Sequence, residues 1–152
     1  MRLLSVLAGA LAVTACSAPE GRSGEPNSHS EADVGAFYNS YETALKAQRR
    51  DTLAHFYHPD GATIVFNGGR MQLTHAGLDS LYKGPWQGPR FFAFDSLHSQ
   101  PIGPSLVLVT GGFRWLSPES PDTGKYVYLS VLEQTAAGLR ILVEHETSRS
   151  PQ

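Results

Sequence analysis

From residue 30 onward the apolar positions fall first into a helical period and then into alternation. Val34, Phe37, Tyr38, Tyr41 and Leu45 recur at three- and four-residue spacing and predict one long amphipathic helix, with Ser30 ahead of Glu31 and Asp33 as its N-cap. A shorter helix is predicted after Asp51, burying Leu53, Phe56 and Tyr57, and Pro59-Asp60-Gly61 ends it. Ala62 to Phe66 reads as a strand, Asn67-Gly68-Gly69 turns it into a partner near Arg70 to Leu73, and Thr74 caps a third helix over His75 to Tyr82 that Gly84 and Pro85 end. Beyond Gly88-Pro89 four β-rich runs follow: Arg90 to His98, Ser105 to Leu116, Lys125 to Thr135 and Leu139 to Ser148. Turn residues separate them, so they suggest an antiparallel meander. Gly111-Gly112 interrupts the second run, where a bulge or strong bend would curl a sheet. Helices first and strands afterwards give an α+β class, and no internal repeat is visible.

The segment ahead of this pattern has a different logic. Met1 and Arg2 supply a positive start, Leu3 to Val13 run apolar with only Ser5 and Gly9 interrupting, and Thr14 and Ala15 are small. That is a signal-peptide pattern, much shorter than the roughly 20 apolar residues a membrane-spanning helix needs. Val13-Thr14-Ala15-Cys16 resembles the bacterial lipobox, in which the cysteine is acylated and becomes the new N-terminus; a plain secretory signal with an incidental cysteine is the alternative. Acyl chains would anchor the chain firmly, each buried methylene contributing about 0.8 kcal/mol. Ser17 at the next position looks like outer-membrane sorting, so the expected location is the bacterial envelope, on the outer membrane facing the periplasm. Ser17 to His29 is rich in Ser, Gly, Pro and Glu and reads as a tether. The expected organisation is therefore a signal peptide at 1–15, a lipidated Cys16 and tether at 16–29, and one domain at 30–149.

Composition narrows the chemistry. With 12 Lys+Arg against 14 Asp+Glu in 152 residues, the net charge of −2 leaves no electrostatic case for nucleic-acid binding. The single cysteine, Cys16, cannot pair within the chain, and its acylation would remove it as a thiol nucleophile. No nucleophile-elbow motif is present, and Gly68-Gly69 lies between strands instead of opening a phosphate-binding helix.

The order of elements, with Phe56-Tyr57-His58-Pro59-Asp60-Gly61-Ala62 closing the short helix and Leu139-Arg140-Ile141-Leu142-Val143-Glu144-His145-Glu146-Thr147-Ser148 closing the chain, resembles the nuclear transport factor 2-like superfamily. Its SnoaL-like branch, with a His near a terminal Ser, is the nearest match. Leu139 departs from it, since Trp is frequent there. The resemblance spans residues 31 to 148 and implies a curved antiparallel sheet packed on the long first helix, two shorter helices, a cone-shaped apolar cavity and a homodimer.

Within that frame the candidate residues divide by role. Simple alternation on the last strand puts Leu139, Ile141, Val143, His145 and Thr147 on the core face, with Arg140, Leu142, Glu144 and Glu146 opposite. His145 is then a partly desolvated imidazole able to act as acid or base, or a core histidine bridging sheet and helix. Asp60 matches the position where some enzymes of the superfamily carry a carboxylate base, and it equally suits a Pro-Asp-Gly turn. Tyr38, Tyr41, Trp86, Phe92, Trp115 and Tyr128, with His145, are candidates to line a pocket for a flat or greasy ligand; Phe94 and Tyr126 belong to the same aromatic set, which also suits plain packing. His55 and His58 do not complete a zinc site, Arg114 suits a carboxylate or a solvated strand face, and neither metal nor cofactor is expected. The leading expectation is a lipid-anchored module that binds a small hydrophobic molecule or acts in an interaction. The rival is a cofactor-independent isomerase, cyclase or hydratase using His145 or Asp60.

Overall fold

In the computed structural model, which describes residues 30–84 and 86–149, the helical period becomes α1 (Glu31–Lys46). The Ser30 hydroxyl accepts the Asp33 backbone N–H while the Asp33 carboxylate accepts the Ser30 N–H, a reciprocal cap that satisfies two otherwise unpaired donors. Val34, Tyr38, Tyr41, Ala44 and Leu45 are its buried stripe. The short second helix is a single α-turn, α2 (Arg50–Leu53), continued by a 3-10 turn at Ala54–Phe56. After it, the Gly61 N–H closes a turn onto the His58 carbonyl at 2.9 Å, and Gly61 holds a φ of 106° that a side chain would oppose. Strands β1 (Ala62–Phe66) and β2 (Gly69–Leu73) form the expected hairpin, and the Thr74 hydroxyl caps α3 (His75–Lys83) through the Gly77 N–H at 3.1 Å. The long strands follow as β3 (Phe91–Pro101), β4 (Leu106–Leu116), β5 (Gly124–Thr135) and β6 (Gly138–Ser148).

These six strands make one curved sheet in the order β2-β1-β6-β5-β4-β3. The meander from β3 to β6 is antiparallel throughout, but β1 joins β6 in parallel, so the sheet is mixed at that one seam. The helices α2 and α3 pack on one another and help close the core over Leu53, Leu78, Tyr57 and Ile141.

Two irregularities set the curvature and the phase of the strands. The bulge expected at Gly111-Gly112 lies on the neighbouring strand: Asp95 and Ser96 of β3 oppose Gly112 alone, between the pairs Phe94–Phe113 and Leu97–Gly111. Glycine is required across from it, because a Cβ on Gly111 would stand 1.9 Å from the Ser96 carbonyl oxygen. The second bulge falls in β6. Val131 pairs with Val143 and Leu132 with Ile141, leaving Leu142 as an extra residue.

That extra residue corrects the face assignment of the last strand. Leu139 and Ile141 are buried as expected, but beyond Leu142 the alternation shifts by one and Glu144, with its neighbour Glu146, takes the concave side. His145 is exposed on the outer face, where its ring Nε2 is 3.1 Å from the Thr147 hydroxyl. Residues 1–29, and with them the expected signal peptide, Cys16 lipidation site and tether, lie outside the described residues, as does Pro85. Among the described residues no helix is long and apolar enough to cross a membrane.

Candidate functional site

The concave face of the sheet, α1 and α3 enclose a cavity of about 340 Å³. Its walls are aromatic and aliphatic: Tyr41 and Leu45 from α1, Ile64 and Phe66 from β1, Met71 from β2, Leu81 and Tyr82 from α3, Phe92 and Phe94 from β3, Phe113 and Trp115 from β4, Tyr126 from β5 and Trp86 from the α3–β3 connection. The rings interlock. Trp86 meets Trp115 edge-on at 6.2 Å and Tyr82 at 5.1 Å, and Phe113 stacks on Tyr126 at 4.7 Å. Phe66 and Met71 remain 44% and 41% exposed, so the lining continues out to the surface on the β1–β2 side.

The polar part of this lining is Gln87 and two carboxyl groups, Glu144 and Glu146. Residues two apart on one strand face are separated by roughly 6.6 Å along the chain, so the acids sit side by side in an otherwise apolar space. Glu144 is only 3% exposed. Its carboxylate accepts the Tyr57 hydroxyl at 2.6 Å and the Tyr128 hydroxyl at 3.0 Å.

Counting protons orients the remaining hydroxyls. Each tyrosine has a single O–H, and Tyr57 gives its proton to Glu144, so at Tyr57 the hydroxyls of Tyr41 (2.9 Å) and Tyr82 (2.6 Å) must donate. Tyr128 is likewise committed, so Tyr38 donates to it at 3.3 Å and the Ser130 hydroxyl donates to Tyr38. Five tyrosines and a serine thus send their protons inward, directly or through one another, to one buried carboxylate.

Electrostatics separates the two acids. Burial pushes the Glu144 pKa above the usual carboxylate range, with the Tyr57, Tyr128 and Tyr41 hydroxyls opposing that rise. Glu146 is raised well above the usual range, first by loss of water and then by the negative charge of Glu144, and its side chain makes no hydrogen bond to another described residue. The pair titrates as a unit, in which the hydroxyls of Tyr57 and Tyr128 favour the anion of Glu144 while Glu146 has no such donors among the described residues. Burial also raises the pKa of Tyr38, Tyr41, Tyr57, Tyr82 and Tyr128, so these hydroxyls remain donors. Among the described residues no lysine, arginine or histidine lines the cavity beside the acids.

The residues expected from sequence distribute unevenly over this site. Tyr41, Trp86, Phe92 and Trp115 line the cavity. Tyr38 and Tyr128 are buried behind it, acting on Glu144 through the hydroxyl relay. His145 is on the opposite face of the sheet. Asp60 has a side chain 93% exposed in its turn, 3.8 Å from the His58 imidazole. Neither therefore touches the cavity, and the catalytic roles considered for them lose their geometry. His55 stacks on His75 at 6.1 Å whereas His58 faces Glu133 at 3.5 Å, so the two histidines do not converge. Arg114 bonds Asp95 at 2.7 Å on the outer side and lies 5.5 Å from the Phe91 ring.

Glu144, Glu146, Tyr57 and Tyr82 were not singled out by alternation. A signal existed: Ile141-Leu142-Val143 is three apolar residues in succession, which strict alternation does not produce, and β5 presents Tyr128 and Ser130 as inward polar partners for two acids of β6.

No protein-family model matches the sequence, and no curated protein is similar to it. Solved structures do match in shape. A ketosteroid isomerase-like protein from Erwinia carotovora atroseptica aligns with a TM-score of 0.64 at 16% identity, over 79% of this chain and 96% of its own. A nuclear transport factor 2-like protein from Cytophaga hutchinsonii gives 0.64 at 15%, over 80% and 100%. A nuclear transport factor 2-like protein with a cystatin-like fold from Novosphingobium aromaticivorans gives 0.62 at 11%, over 80% and 82%. At such identities the similarity is one of architecture, and the chain has the nuclear transport factor 2-like, cystatin-like fold.

Proposed function

We propose that this protein is a lipid-anchored module of the bacterial envelope, facing the periplasm from the outer membrane, whose domain binds a small, largely apolar molecule in the aromatic cavity. The observation that carries the binding reading is the cavity itself: about 340 Å³ of space walled by interlocked rings, with two carboxyl groups as its charged lining. Protein interiors of this size are normally filled, and a space of a few hundred Å³ with few polar groups suits a small ligand. The anchor rests on Val13-Thr14-Ala15-Cys16. Native mass spectrometry of the protein extracted from its own membrane tests the binding reading. A retained small molecule that is lost from a Trp115→Ala variant supports it, and a domain that extracts empty and quenches neither tryptophan with any apolar probe ends it. Metabolic labelling with a palmitate analogue tests the anchor, with label expected on the wild type and absent from Cys16→Ser.

A second reading is favoured by the unequal acid pair. A carboxyl without hydroxyl donors beside one whose anion such donors favour is an arrangement from which proton transfer to and from a bound carbonyl compound can start. Glu146 would be the proton carrier in place of His145 or Asp60, and the ketosteroid isomerase-like neighbour is consistent with this. Deuterium exchange into the α-position of 1-tetralone separates the readings: catalysis predicts exchange that falls about 100-fold or more in Glu146→Gln, and binding alone predicts none above background. A homodimer formed through the outer sheet face completes the proposal.

A further inference from the structure

The charge of the cavity is not balanced by the protein. Glu144 and Glu146 face an apolar space with no cationic side chain among the described residues of its lining, and the hydroxyls around Glu144 are arranged to receive a negative charge rather than to cancel it. Trp86, Trp115, Tyr82 and Tyr126 line the same cavity, with Trp86 in edge-on contact with both Trp115 and Tyr82. A π-face is electronegative, so the rings and the carboxylates attract the same kind of partner and repel the same kind. Trp86 already has the Arg50 guanidinium 5.8 Å from its ring centre, and Arg50 is not part of the cavity lining.

We infer that the ligand is a lipophilic organic cation: a quaternary ammonium or amine on a compact apolar body, with its charge directed to Glu146, which gives up its proton to solvent as the cation binds, and its hydrocarbon against the rings. This deepens the binding reading above and rests on it. A neutral greasy ligand would leave the acids unused, and an anionic one would add negative charge beside two poorly solvated acids, the costliest of the three arrangements. A quaternary ammonium is weakly hydrated and cannot donate a hydrogen bond, so a box of aromatic faces with a nearby carboxylate suits it better than water-like polar contacts would.

The test compares benzyl ligands of different charge on the wild-type protein: benzyltrimethylammonium, its carbon isostere neopentylbenzene, and the anion phenylacetate. Tryptophan fluorescence and calorimetry at pH 8 and low salt give the affinities. The cation is expected to bind at least tenfold tighter than the isostere, with phenylacetate the weakest, and the cation-to-isostere ratio is expected to fall at least tenfold in Glu146→Gln. Equal or better binding of the isostere in the wild type overturns this inference while leaving the cavity a binding site. A cation preference that survives in Glu146→Gln removes the assigned carboxylate. Failure of all three probes at millimolar concentration overturns this inference and the binding reading together.

Discussion

At the scale of single residues, the burial of Glu144 and Glu146 is the feature with the clearest energetic signature. Both carboxyls are raised above their usual range by desolvation, so the native state holds protons that the unfolded chain releases. The slope of stability with pH is proportional to protons bound unfolded minus protons bound native, and here that difference is negative. Stability from this pair is therefore full below the usual carboxylate range and is lost as pH rises toward the elevated native values. Around the pair stand Tyr41 of α1, Tyr57 after the 3-10 turn, Tyr82 of α3 and Tyr128 of β5. Their own pKa values are raised, so they stay neutral through the same window. Glu146→Gln keeps the shape of the side chain and removes its titration. Urea unfolding should find the variant and the wild type similar at pH 4 and the variant more stable at pH 8; parallel stability curves across that range would show that Glu146 is an ordinary solvated acid.

At the scale of elements, local pattern was a good guide wherever a strand or helix kept its period. The α1 stripe, the Ser30 and Thr74 caps and the limits of the long strands follow from spacing and turn chemistry, because each depends on residues within a few positions of one another. The seam between β1 and β6 was not legible, since parallel pairing joins Ile64 to Glu144 across most of the domain and leaves no local mark. The phase of β6 failed at one residue. An extra position at Leu142 turns the whole second half of the strand over, exchanging His145 for Glu144 and Glu146, whereas of the aromatic residues Tyr41, Trp86, Phe92 and Trp115 line the cavity and Tyr38 and Tyr128 lie behind it. The partner bulge on β3 shows how little room such devices leave. With the Ser96 carbonyl where a Cβ on Gly111 would go, Gly111→Ala forces the β3–β4 ladder apart and should cost about 3 kcal/mol. Gly35→Ala on α1, where a Cβ meets nothing within 4 Å, should stabilise or leave stability unchanged. Equal midpoints for the two alanine variants in chemical denaturation would mean that the bulge relaxes freely.

At the scale of the whole molecule, the same sheet has two unlike faces. The concave one carries the cavity, and the outer one presents a band of apolar residues: the register aligns Leu108 with Val131 and Val143, and Leu129 lies between Thr110 and His145. Val127 extends the patch and is 44% exposed. Apolar residues that neighbour one another on three adjacent strands, with no helix of the domain covering them, form the kind of surface a second copy can bury. Such an interface lies on the side of the sheet opposite the cavity, so dimerisation leaves ligand access from the Phe66 and Met71 side unobstructed. The protein without residues 1–29 should therefore run as a dimer in light scattering at tens of micromolar. Val131→Lys places a charge at the centre of the patch and should yield a monomer that keeps its tryptophan fluorescence and its cavity, because Val131 points away from Glu144 and the rings. A wild-type domain that stays monomeric at high micromolar concentration would refute the interface. A Val131→Lys dimer of undiminished affinity would move it to another surface.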